Sequence, residues 1–129
     1  MKITSFNPLI ITKDAEETVK LFETLGFEKR HNTEGTSAND SDYDSIRMKS
    51  PDGFYVDITQ NLNIPATITA IRMNVDDLDE AVELLTSRGF SNPFGADNVV
   101  HETKSSKSVF LRSPSGFFIT VIKHIKNNT

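Results

Sequence analysis

The chain contains no cysteine. That excludes disulfide staples, thiolate catalysis and cysteine-ligated zinc or iron–sulfur centres. No apolar run approaches the roughly 20 residues of a membrane span, and the N-terminal stretch lacks the basic and apolar regions of a secretory leader. Concentrated positive charge is missing too. Lys and Arg are scattered, the net charge is −4 and the pI is near 5.3, whereas nucleic acid rewards clustered basic residues. These absences point to a cytoplasmic protein that engages neither membrane nor nucleic acid. The acidity itself mainly confers solubility.

What remains is an ordinary globular composition. At 129 residues, with 36% hydrophobic and 25% charged positions, the chain reads as a single domain spanning 1–129. A chain of this size buries roughly two-thirds of its unfolded surface, so it needs no metal or covalent staple to hold a core.

The sequence repeats itself at an offset of 63 residues, which carries Asp14 onto Asp77. The same ungapped shift puts Glu17 on Glu80, Val19 on Val82 and Leu21 on Leu84. It also puts Gly26-Phe27 on Gly89-Phe90 and Ser50-Pro51-x-Gly53-Phe54 on Ser113-Pro114-x-Gly116-Phe117. These positions are helix starts, helix ends and turns, where backbone geometry restricts residue choice. They report a duplicated supersecondary unit, with modules at about 1–62 and 66–126.

Each copy reads as β-α-β-β-β. In the first, strands are expected over Phe6–Thr12, Phe27–Thr33, Asp44–Lys49 and Phe54–Gln60. The helix opens at Asp14 with Glu17 in the capping-box position and buries Ala15, Thr18, Val19, Phe22 and Leu25. The second copy offers Thr67–Val75, a helix from Asp77 with Leu78, Ala81, Val82 and Leu85 inward, and strands near Phe90, over Val99–Thr103, Ser108–Arg112 and Phe117–His124. Alternation places Phe54, Val56 and Ile58 beneath the first helix, and Phe117, Ile119 and Val121 beneath the second. Arg47, Tyr55 and Asp57, and likewise Arg72, Asn74, Phe110, Phe118 and Thr120, face the other way.

This order of motifs, D-x-x-E helix starts, G-F after each helix and S-P-x-G-F before each last strand, resembles the vicinal oxygen chelate superfamily, the glyoxalase, bleomycin-resistance and extradiol-dioxygenase group. The resemblance runs from Thr4 to about Ile125. It implies an α+β fold of two tandem βαβββ modules forming a curved mixed sheet around a cup-shaped cleft. Members with a metal take ligands from the first and last strand of each module. Here those places hold Asn7, Asp57, Ala70 and Thr120. Only Asp57 is a good ligand for a divalent cation; Asn7 offers a carbonyl, Thr120 a neutral hydroxyl and Ala70 nothing. A catalytic metal wants about three protein donors. No metal, cofactor or catalytic residue is therefore assigned.

The expected site is a small-molecule cleft. Asn7, Arg47, Tyr55, Asp57, Arg72, Asn74, His101, Phe110, Phe118 and Thr120 supply aromatic walls and a few polar groups, the composition of a ligand pocket. Each arginine either pairs with an anionic ligand or neutralises Asp57. By resemblance, the function is that of a metal-free, bleomycin-resistance-like binding protein acting as a homodimer. The alternative is a glyoxalase-like lyase, isomerase or dioxygenase with a non-standard site around Asp57 and His101. His31 and His124 read as solvated. The polar, acidic stretch between His31 and Asp44 reads as a solvated loop, with a lid over the cleft as its functional alternative.

Overall fold

The structure, a computed structural model, describes residues 1–30, 44–93, 100–102 and 105–125. Residues 31–43, 94–99, 103–104 and 126–129 lie outside the described residues, and with them His31 and the lid expected between His31 and Asp44. The chain divides into two compact units, Asn7–Thr69 and Met1–Phe6 with Ala70–Thr129. They are called the amino-terminal and carboxy-terminal units below.

The architecture is α+β, and each unit realises the βαβββ order. In the first copy this is β1 (Ile3–Thr12), α1 (Ala15–Thr24), β2 (Glu28–Lys29), β3 (Asp44–Lys49) and β4 (Tyr55–Gln60). In the second it is β5 (Ile68–Val75), α2 (Leu78–Ser87), β6 (His101–Glu102), β7 (Ser106–Arg112) and β8 (Phe118–His124). Strand order is β2-β3-β4-β1 in one and β6-β7-β8-β5 in the other. The first and last strands of each copy pair in parallel and the remaining neighbours pair antiparallel. Each helix is the crossover that parallel pairing requires.

The repeated motifs have local physical causes. Asp14 and Asp77 are N-caps whose carboxylates accept from the backbone N–H of Glu17 and Glu80 at 3.1 and 3.0 Å. Both helices end in a Schellman motif. Phe27 N–H bonds Phe22 C=O at 2.9 Å and Gly26 N–H bonds Glu23 C=O at 3.0 Å; Phe90–Leu85 and Gly89–Thr86 repeat this at 3.1 and 3.0 Å. Gly26 and Gly89 take φ of +102° and +92°, where a side chain would be strained. The following phenylalanine supplies the apolar contact of the motif: Phe27 meets Phe22 edge-on at 5.3 Å between ring centres. In the S-P-x-G-F turns, Gly53 N–H bonds Ser50 C=O and Gly116 N–H bonds Ser113 C=O. The serine Oγ then accepts from Phe54 or Phe117 N–H at 3.0 Å.

Each unit has its own core between helix and sheet. In the amino-terminal unit Ala15 and Val19 pack on Met48, Val56 and Ile58, joined by Ile10, Phe22, Phe27 and Ile46. In the carboxy-terminal unit Leu78 and Ala81 pack on Met73, Val75, Val109, Leu111, Ile119 and Val121.

The expected segments need correction: β7 begins at Ser106 rather than Ser108, Arg30 lies beyond β2 and Val100 before β6, and four further differences follow. β1 begins at Ile3, three residues before Phe6. Phe54 is 69% exposed and Phe117 is also exposed, because the preceding turn consumes the backbone groups of each and the strands start one residue later. Leu25 is 62% exposed because it is the C-cap of α1, beyond the last full turn. Near Phe90 there is only an isolated bridge between Ser91 and Arg112, since the N–H of Phe90 closes the helix end.

Candidate functional site

In the amino-terminal unit the sheet face opposite α1 carries a buried ion pair. Asp57 on β4 stands directly across from Arg47 on β3. Asp57 is 1% exposed, and Arg47 Nε donates to its Oδ1 at 2.8 Å while Nη2 donates to Oδ2 at 3.3 Å. Asn7, buried on β1, donates its side-chain N–H to Oδ2 at 3.3 Å. A carboxylate taken out of water costs several kcal/mol unless charge and hydrogen bonds replace the lost hydration. Here one guanidinium fork and one amide do so. The Arg47 Cζ lies 5.5 Å over the Tyr55 ring, and Lys49 Nζ lies 5.6 Å from the same ring centre. One row further along, Ser45 and Thr59 share a hydroxyl hydrogen bond of 2.8 Å. Leu9 pairs with Asp57 in register and is buried on this same face. The expected site omitted it, although alternation from Asn7 marks its position.

The equivalent face of the carboxy-terminal unit is differently equipped. Thr120 on β8 stands between Arg72 on β5 and Phe110 on β7, and Phe118 stands beside Ala70. Phe110 and Phe118 stack with ring centres 5.2 Å apart and planes 7° from parallel. Thr120, Asn74 and Ala70 are buried, while Arg72 and both phenylalanines are half-buried. His101 pairs with Ser108 on β7, two residues before Phe110, and is exposed. It thus shares this face at its outer edge.

The two faces correspond position for position. The 63-residue offset carries Arg47 onto Phe110, Tyr55 onto Phe118, and Asp57 onto Thr120. Arg47 and Tyr55 are diagonal cross-strand neighbours, as are Phe110 and Phe118, and such neighbours lie within reach of long side chains. One diagonal therefore holds a guanidinium over a phenol ring and the other a phenyl over a phenyl.

The ten expected site residues thus fall into two groups. The structure joins Asn7, Arg47, Tyr55 and Asp57 by hydrogen bonds and a cation–ring contact within one unit. It sets Arg72, Asn74, Phe110, Phe118, Thr120 and His101 on one sheet face of the other. Asp57 and His101 belong to different units.

No family sequence model matches the chain, and no characterised protein sequence matches it. Solved structures do. A glyoxalase/bleomycin resistance protein/dioxygenase superfamily member from Vibrio splendidus 12B01 superposes with a TM-score of 0.59 at 13% identity, over 95% of this chain and 99% of the other. Methylmalonyl-CoA epimerase from Mycobacterium tuberculosis gives a TM-score of 0.60 at 13% identity, over 96% and 90%. The fold is that of the glyoxalase/bleomycin resistance/dioxygenase superfamily. Identities this low establish the backbone plan and leave the chemistry to the residues present.

Those residues do not fit the metal that the superfamily resemblance implies. At Asp57 both carboxylate oxygens already receive Arg47, so an approaching divalent cation meets a guanidinium on its one anionic donor. Asn7 spends its amide N–H on the same carboxylate. In the other unit, Ala70 has no donor atom and Thr120 has only a neutral hydroxyl. Among the described residues, no group of three or more His, Cys, Asp or Glu is placed to hold a metal ion. Among them, too, no helix is long and apolar enough to cross a membrane.

Proposed function

We propose that the protein binds a small organic molecule on the sheet faces opposite its helices, without a metal. The observation that carries this reading is the Arg47–Asp57 pair. A fixed cation takes the one acidic group that would otherwise serve a metal, so recognition rests on guanidinium, aromatic and amide groups. Aromatic surface with a few oriented polar groups is what a small-molecule site supplies. A homodimer in the cytoplasm belongs to the same proposal; it rests on the superfamily resemblance and on the cysteine-free composition.

Two measurements test it. Purified protein equilibrated with zinc, nickel, manganese or iron is expected to retain none in stoichiometric amount. Stoichiometric metal that disappears in Asp57→Ala refutes the metal-free reading. In parallel, thermal-shift screening against metabolites and antibiotics is expected to find a compound that raises the melting temperature, since a ligand of the native state stabilises it by mass action. A stabilisation left unchanged by both Arg47→Ala and Arg72→Ala refutes the assignment of the site.

A further inference from the structure

On the helix side of its sheet, the carboxy-terminal unit holds a cleft of about 340 Å³, bounded by α2, β7 and the residue before β6. One wall is apolar. Leu78 and Val82 form it from α2, a turn apart, together with Val109 of β7 and Val100. Leu78 and Val109 are buried, Val82 is half-buried and Val100 is 47% exposed, so apolar surface runs from the core out to solvent. The other wall is the neighbouring row of α2, Asp79, Glu83 and Thr86. These polar side chains are all acceptors. Asp79 and Glu83 are exposed carboxylates, and among the described residues no ion pair reaches either. Thr86 spends its hydroxyl hydrogen on the Val82 and Glu83 carbonyls, at 2.8 and 3.1 Å, which leaves only its lone pairs for a ligand.

The first copy is equipped differently at the same positions. The 63-residue offset matches Glu16 to Asp79 and Lys20 to Glu83. In α1 those two residues form a salt bridge of 3.5 Å. In α2 they carry like charges, which at this spacing work against the helix. The helix dipole accounts for Asp79, in the first turn, but not for Glu83, in the second. A cation between them would offset the repulsion, and positions four apart on a helix have Cβ atoms only about 5–6 Å apart. One ammonium therefore reaches both carboxylates while its stem lies along the adjacent apolar row. The cleft volume is that of a small-molecule site, and the net charge of −4 favours a cation over an anion. We propose that this cleft binds a small aliphatic ammonium ion, its stem along Val82, Val100 and Val109 and its charge between Asp79 and Glu83. The site lies on the opposite side of the sheet from the faces assigned above and stands independently of them.

Methyl NMR of the full chain, labelled at valine and leucine, tests this with four probes. Hexylammonium carries both stem and charge. Hexan-1-ol keeps the stem and loses the charge, hexanoate reverses the charge, and methylammonium keeps the charge and loses the stem. Hexylammonium is expected to shift the Val82, Val100 and Val109 methyls and to bind about tenfold more tightly than hexan-1-ol, the scale of two exposed ion pairs. It is expected to exceed methylammonium by about tenfold or more, the scale of a few methylene groups taken out of water. Hexanoate is expected to leave these methyls unshifted. Glu83→Lys gives α2 the ion pair that Glu16 and Lys20 make in α1, so the helix is kept, and the preference for hexylammonium over hexan-1-ol is expected to vanish. Equal affinity of those two probes for the unaltered protein overturns the proposal without reliance on any variant. So does a preference that survives Glu83→Lys, or binding that leaves Val82 and Val109 unshifted. If hexylammonium does not bind, this inference falls and the small-molecule reading of the sheet faces is untouched.

Discussion

Breaking the Arg47–Asp57 pair from its two ends is expected to cost unequal amounts. Arg47→Ala leaves a carboxylate that is 1% exposed without its guanidinium fork, with the Asn7 amide still donating to it, and removing one partner of a buried ion pair costs about 3–5 kcal/mol in comparable cases. The remaining amide bond and the 33% exposure of Arg47, which admits water once the side chain is removed, place the expected loss near the low end, about 3 kcal/mol. Asp57→Ala leaves Arg47 with one-third of its side chain already in water and a flexible stem that turns outward. Its expected cost is about 1–2 kcal/mol, chiefly the lost contact and the small cavity. The double variant is expected to cost less than the sum, with a coupling of about 1–2 kcal/mol, because neither remnant is then stranded. Urea unfolding followed by circular dichroism reads all four corners of the cycle. With a slope of about 2 kcal/mol per molar, Arg47→Ala lowers the midpoint by about 1.5 M. If Arg47→Ala costs no more than Asp57→Ala, or the coupling is under about 0.5 kcal/mol, the carboxylate is not held by the guanidinium in the way described.

Two further predictions concern the repeated motifs. A Cβ on Gly89 would lie 2.8 Å from Pro114 Cγ, whereas one on Gly53 meets nothing within 4 Å, although both residues have φ of +92°. Gly53→Ala is therefore expected to cost about 1–2 kcal/mol for backbone strain alone, and Gly89→Ala about 1–3 kcal/mol more for the clash; equal losses in thermal unfolding would show that Pro114 gives way freely. Asp14→Ala and Asp77→Ala are each expected to cost about 1 kcal/mol, with effects that add, because the two caps lie in separate units and share no partner. A strongly non-additive double variant would contradict that independence.

The elements that local chemistry decides were legible in the residues. Asp14 and Asp77 cap helices because a carboxylate three residues before a free N–H finds it in almost any context. β3 runs over Asp44–Lys49 as expected because alternation there is unbroken. Three of the misreadings share a different cause. Phe54, Leu25 and Phe90 each follow or end a motif that commandeers their backbone, so side-chain periodicity alone assigned them a strand or a buried face they do not keep. In the site, alternation puts Asp57, Arg47 and Tyr55 on a common face, where an arginine can neutralise Asp57. Burial was not readable. That Asp57 is sealed and Asn74 left with an unmet acceptor depends on what lies over them, and a period of two carries no information about that.

The diagonal that bears Arg47 over Tyr55 in one copy and Phe110 over Phe118 in the other bears on how such a scaffold diversifies. The backbone fixes only that two flat groups meet, one on each of two neighbouring strands. Whether that meeting is cationic or hydrocarbon is decided by side chains that make no contribution to the helix–sheet core. A new specificity can thus be installed at such a pair without disturbing a cap, a turn or a ladder bond. Duplication supplies two of them, free to drift apart while the frame stays the same.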